Sequence, residues 1–265
     1  MGSDVAGDWR TRLGEALSLA RVLDFGAPHP RVFGAPPATT TPFVAGAFNG
    51  EVARGASCNC RAVHLVPHCN GTHTESVAHL TVESLRLTDL VPLEPLPAVV
   101  VSVRPVAAQQ SGETADPPPL PGDRLVTATQ IDRGWPAAWP ADLPSPRVLV
   151  LRTGVHDGDD VAPYLSLEAA RRIVERGIDH VVVELPSVDR AEDEGRLAGH
   201  RILFGLPPGS TRLADAARPH ATVTELAQVP AACPDGPCAV QLQLTPWTGD
   251  AVPSRPVLFP LVAHA

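Results

Sequence analysis

Three short runs of consecutive apolar residues stand out along the chain: residues 97–103 (PAVVVSV), 147–152 (RVLVLR) and 180–185 (HVVVEL). Continuous β-branched runs of this length are the pattern of strands buried on both faces. Between the second and third, Leu167, Ala170, Ile173 and Val174 recur at helical spacing. Ser166 is placed to cap that helix and Gly177 to stop it. Strand, helix, strand in that order predicts a parallel βαβ pair. Val240, Leu242 and Leu244 alternate with Gln241 and Gln243, the pattern of a strand with one wet face, and Val257-Leu258-Phe259 predicts a final strand. Residues 58–66 read as a strand, and residues 190–204 as a second helix that places His200 at the border of its apolar face. Near the start, Trp9, Leu13, Ala16, Leu17 and Ala20 recur at helical spacing behind Asp8, which predicts a capped first helix. Together these elements predict an α/β fold, a mixed central sheet with outer helices.

Proline alters this picture first. Thirty prolines in 265 residues is about twice the usual share, so rigid loops and short elements are expected. Residues 107–124 are polar and Pro-rich and predict a long surface loop inserted in the domain. The expected organisation is an N-terminal helix or arm over residues 1–23 and a single domain over 24–265. A net charge of −8 without a basic run excludes nucleic acid as a partner. All 21 cationic residues are arginine, which excludes Schiff-base lysine chemistry. No apolar run reaches the roughly 20 residues that span a bilayer. The opening Met1-Gly2-Ser3-Asp4 lacks the charged and apolar regions of a signal peptide. A cytoplasmic protein is therefore expected, and the odd count of 5 cysteines suits reduced thiols. Cys58 and Cys60 form C-x-C, and Cys233 and Cys238 flank Pro-Asp-Gly-Pro. Both pairs read as small loop or buried cysteines rather than metal sites.

The candidate chemistry is concentrated in residues 67–79 (PHCNGTHTESVAH), which hold three histidines, a cysteine and a carboxylate. Imidazole, thiolate and carboxylate bind zinc-like cations at neutral pH. Asn70-Gly71 is a turn signal. If the chain is extended after it, His73 and Glu75 point to one side, because strand side chains alternate. That is half of a metal site. The plain alternative is a solvated, hydrogen-bonded turn, since the spacing is not a regular paired-cysteine pattern.

The stretch Cys69-x-Gly71-Thr72-His73-x-Glu75-x-Val77-x-His79 resembles the His-x-Gly-Thr-His-x-Asp-x-Pro-x-His signature of the bacterial cyclase family. That family includes kynurenine formamidase (arylformamidase) and isatin hydrolase. Cys69 stands where the family has its first histidine, Glu75 replaces aspartate and Val77 replaces proline. The resemblance extends from about residue 24 to the C-terminus. Asp24-Phe25-Gly26 sits at the family's opening motif and Thr153-Gly154 at its R-T-G strand end. Pro186-Ser187-Val188-Asp189 matches its P-S-x-D loop, His200 its metal-site helix, and Glu225-Leu226 a shortened form of its E-x-L strand.

The resemblance implies a swivelling β/β/α fold and a homodimer, the N-terminal segment reaching toward the partner. It also implies a metal-dependent hydrolase of an amide or ester, of the arylformamide or cyclic amide type. Cys69, His73 and Glu75 would hold one divalent cation, with His68 as an alternative first ligand. Glu75 would bridge to a second cation held by His200 and Glu225, giving one or two per chain. His79 would be the acid/base. A soft thiolate ligand shifts the preference from Mn2+ toward Zn2+. Trp135 and Trp139, or Phe25, are candidates for an aromatic wall beside the small-molecule substrate. Two alternatives stand beside this reading: a member without the full metal site that binds a ligand or is structural, and a natural-product cyclase or lyase.

Overall fold

The three apolar runs pair side by side as parallel strands. The computed structural model describes residues 4–6, 9–154 and 161–263. The strands that position the site are, in chain order, β1 (His73–Ser76), β2 (Leu96–Ser102), β3 (Val148–Arg152), β4 (His180–Val183), β5 (Thr222–Glu225), β6 (Gly236–Leu244) and β7 (Ala251–Ala263). The helices are α1 (Leu167–Glu175) and α2 (Ala198–Phe204). β2, β3, β4 and β5 are parallel, with Ala98 opposite Val148, Val148 opposite His180 and His180 opposite Thr222. α1 crosses from β3 to β4, the βαβ unit expected from the sequence. On one side β6 joins β2 antiparallel and β7 joins β6. On the other side β1 joins β5 antiparallel. The start of β7 then pairs with β1, so the mixed sheet closes on itself.

Alternation along the buried strands divides the core in two. Val99, Val101, Leu149, Leu151, Val181 and Val183 pack against Ala169, Ala170 and Ile173 of α1 and Leu203 and Phe204 of α2. Ala98, Val100, Val148, Val150 and Val182 face the other way, onto Val240, Leu242 and Leu258. Burial on both faces explains why these runs show no polar alternation. Each fully buried valine or leucine contributes about 1.5–3 kcal/mol. Ser166 caps α1 through the Ala169 amide, as expected.

The N-terminal helix expected over residues 9–20 does not form. The segment is a strand (Trp9–Thr11), a 3-10 turn (Leu13–Glu15) and a short strand (Leu17–Ser18). Arg10 pairs with Val262 and Leu17 with Leu258. Edge pairing on β7 outweighs the weak helical preference of the spacing. Asp8, expected to cap that helix, lies outside the described residues. The helix expected over 190–204 is confined to α2. Glu194, Gly195 and Leu197 have positive φ, and the Asp193 carboxylate accepts from the Gly195 and Leu197 amides at 2.9 and 2.6 Å. That local side-chain bonding competes with helix. The 107–124 segment is anchored rather than free: Val106–Ala107 pairs with Arg124–Val126, a one-turn helix covers Ala108–Ser111, and Asp123 accepts from the Tyr164 hydroxyl at 2.7 Å.

The chain divides into two compact units, residues 22–71 and the remainder. In the smaller unit Thr39–Pro42 pairs antiparallel with Arg61–His64, the core of the strand expected over 58–66. The Asn70 side chain ties that unit's end together, accepting from the Val66 amide and donating to the Pro30 and Pro36 carbonyls. No helix among the described residues is long and apolar enough to cross a membrane.

Candidate metal centre

β1 is extended after the Asn70-Gly71 turn, and alternation puts His73 and Glu75 on one side of it. On the opposite side Thr74 meets Thr224 of β5, Oγ1 to Oγ1 at 2.7 Å. The same antiparallel register places Glu225 directly across from His73. Donor atoms of His73, Glu75 and Glu225 all lie within 4.8 Å of one another. His73 Nε2 is 3.4 Å from Glu225 Oε2. His200 comes in from α2, its Nε2 at 2.5 Å from Glu75 Oε1 and 3.4 Å from Glu225 Oε1. All four side chains are buried. The sequence thus named four residues that the fold brings together from three separate elements.

Two backbone devices set these positions. Leu226, just after Glu225, has φ 52, and Leu197, just before α2, has φ 48. Left-handed backbone at a non-glycine residue costs about 1–2 kcal/mol, and such strain clusters at functional sites. The Leu226 carbonyl accepts from the Thr72 hydroxyl at 2.7 Å, which ties the end of β5 to the start of the motif. The Val188 amide donates to Glu225 Oε1 at 2.8 Å.

The residue missed by sequence reasoning is Asp189. Its Oδ2 accepts from His200 Nδ1 at 2.7 Å and from the His200 amide at 3.0 Å, and its Oδ1 accepts from the Gly199 amide at 2.6 Å. Nδ1 therefore carries the proton and Nε2 faces the two glutamates. The P-S-V-D stretch was visible, but nothing local linked it to a histidine eleven positions later.

Three buried carboxylates, Glu75, Glu225 and Asp189, face two imidazoles. Burial pushes the His200 imidazole down, yet the Glu75 charge and hydrogen bonds to Asp189, Glu225 and Glu75 outweigh it and raise it well above its ordinary range. Burial and the Glu75 charge push the Glu225 carboxyl up, and hydrogen bonds from His200 and His73 bring it below its ordinary range. Asp189 is likewise held low, its burial outweighed by His200 and the Gly199 amide. A buried excess of negative charge is unfavourable unless compensated. A divalent cation compensates it, and imidazole plus carboxylate is a donor set such cations accept. Proton and cation are thus alternative occupants of one acidic centre.

His79 stands beside this centre on the 3-10 turn Val77–His79, its ring centroid 5.7 Å from that of His200. His68 and Cys69 stand on the one-turn helix Pro67–Asn70 of the 22–71 unit, and Phe25 lies in an earlier turn of that unit. Trp135 and Trp139, the candidates for an aromatic wall, both have partners within the protein. The Trp135 ring lies 4.1 Å under the Arg176 guanidinium, and the Trp139 indole donates to the Leu143 carbonyl at 3.1 Å. Both rings pack on the helical side of the core. Cys233 and Cys238 are buried, and burial pushes both thiols up.

No curated protein matches the sequence significantly. Among solved structures, a predicted metal-dependent hydrolase from Bacillus stearothermophilus aligns over 92% of this chain and 98% of its own, with 16% identity and a TM-score of 0.55. Isatin hydrolase A from Labrenzia aggregata aligns over 93% of each chain, with 17% identity and a TM-score of 0.60. A crystal structure described as a novel cyclase covers 94% of this chain and 89% of its own, with 15% identity and a TM-score of 0.61. These similarities concern the fold. The Cyclase family profile ("Putative cyclase") matches residues 17–190, well over half of the sequence, and the chain belongs to that family.

Proposed function

We propose that the protein is a metal-dependent hydrolase acting on a non-peptide amide or an ester, of the arylformamide or cyclic amide type. The observation that carries this reading is the buried His73, Glu75, Glu225 and His200 cluster, with the first three donors within 4.8 Å of one another. Isatin, the cyclic amide in the name of one structural relative, belongs to the same substrate class. His73, Glu75, His200 and Glu225 would hold the cation, Zn2+ or Mn2+. When bound, the cation polarises the substrate carbonyl and acidifies water. The chain's own residues do the rest. Glu75 and Glu225 balance the cation's charge. Asp189 keeps His200 in the ligating tautomer. His79 is the acid/base, passing a proton to the leaving amine or alcohol from the rim of the centre. The odd cysteine count suits a cytoplasmic protein, and the family resemblance implies a homodimer that takes a small molecule.

Elemental analysis of the purified protein tests this, beside His73→Ala, Glu225→Ala and Cys69→Ala. Stoichiometric Zn or Mn, lost in the first two variants, with turnover of formanilide or isatin, is the expected result. Loss in Cys69→Ala as well would add the thiolate to the ligand set. Absence of metal after reconstitution with either ion would overturn the reading.

A further inference from the structure

Closure of the sheet brings one more residue to the rim of the centre. β7 begins at Ala251, which pairs with Glu75. Just before it, Thr248 and Gly249 pair with Arg86 and Leu85. Asp250 is therefore held between two strand pairings. Its carbonyl also accepts from the Ser76 amide at 3.3 Å, directly on the strand that carries His73 and Glu75. His79 is fixed from the other side: the Ser76 hydroxyl accepts from the Ala78 amide at 3.3 Å and so caps the turn that ends in His79. The Asp250 carboxylate lies 4.0 Å from His79 Nδ1, with side chains 57% and 27% exposed respectively. Hydrogen-bond length is about 1 Å away, a gap typical of apo catalytic pairs.

We propose that Asp250 is a positioning residue for His79: its carboxylate accepts the Nδ1 proton and leaves Nε2 as the nitrogen that exchanges a proton with the substrate. This rests on the reading of His79 as the acid/base. A neutral imidazole has one N–H, and the nitrogen that faces a carboxylate keeps it. No proton passes to Asp250. Removing that carboxylate removes its hold on the Nδ1 proton and so the bias toward that tautomer. Asp250 lies outside residues 17–190, the part matched to the family profile.

The test uses the full chain with 15N-histidine, as wild type, Asp250→Ala and Asp250→Glu, with His79→Gln to assign the His79 signals. Long-range 1H–15N spectra are recorded near pH 8.5, where an ordinary histidine is neutral. The expected result is a protonated Nδ1 and an unprotonated Nε2 on His79 in the wild type, a mixed or reversed pattern in Asp250→Ala, and the native pattern in Asp250→Glu. With formanilide as probe, kcat in Asp250→Ala falls at least about tenfold with KM and metal content unchanged, and Asp250→Glu recovers most of it. A protonated Nε2 in the wild type, or the same His79 spectrum in Asp250→Ala, would overturn the proposal. So would an active enzyme whose kcat is unchanged in Asp250→Ala. If the wild type turns over no amide or ester, the hydrolase reading fails, while the tautomer still decides the role of Asp250.

Discussion

Asp189→Asn keeps the size of the side chain, removes one charge and reverses one hydrogen bond beside the centre. In the native fold the carboxylate receives three N–H groups, from Gly199, from the His200 backbone and from His200 Nδ1. The asparagine carbonyl can replace one oxygen, but its NH2 then faces N–H groups at the other. With that NH2 turned to His200, Nδ1 gives up its proton, and the proton moves to Nε2. Nε2 is the atom 2.5 Å from Glu75, and once protonated it cannot ligate a cation. Hydrogen bonds to a buried charge are worth about 1.5–3 kcal/mol each, and breaking a buried charged pair costs about 3–5 kcal/mol. The metal-free variant is therefore expected to lose about 3–5 kcal/mol of stability, read by urea denaturation. Zinc affinity, read by competition with a chromophoric chelator, is expected to fall about 10- to 100-fold, the usual effect of removing an outer-shell partner. A variant that binds zinc within about twofold of the wild type would refute the claim that Asp189 sets the His200 ring.

Gly199→Ala reaches the same carboxylate from the other side. An added Cβ would stand 2.9 Å from Asp189 Oδ1, so zinc affinity falls although alanine is the better helix former, and native affinity in the same chelator competition would contradict this. His180 is fully buried, bonded through Nδ1 to Thr222 at 2.9 Å, and burial pushes its imidazole down to about 4 from 6.5. Below about pH 6.5 the unfolded chain takes up a proton that the folded chain refuses, so stability falls as pH drops toward 4, by about 3 kcal/mol from this group alone. The difference in urea stability between pH 7 and pH 4.5 is accordingly smaller in His180→Leu, and equal slopes would remove His180 as the cause. Glu113 accepts from the Ala128 and Thr129 amides at 2.8 and 3.1 Å and from the Ser166 hydroxyl at 2.5 Å, joining the start of the short helix Ala128–Gly134 to that of α1. Glu113→Ala is expected to lower stability by about 2–4 kcal/mol and to leave metal content unchanged, as thermal unfolding and elemental analysis would show.

The hydrophobic pattern by itself determined the buried parallel strands, because residues covered on both faces must be apolar without interruption. It also determined α1, through its spacing, cap and stop. The alternation of β1 was enough to put His73 and Glu75 on one side. Resemblance to a known motif added His79, His200 and Glu225, residues that no local pattern singles out. The tertiary structure alone decided the register of β1 on β5, which sets Glu225 across from His73, and the closure through β7 that delivers Asp250. It alone revealed Asp189, whose partner stands on another element, and it replaced the expected N-terminal helix with edge strands. Periodicity reports how much of each residue is buried. Which strands meet, and which polar groups then face one another, depends on pairings between distant parts of the chain, and those energies are absent from any local window.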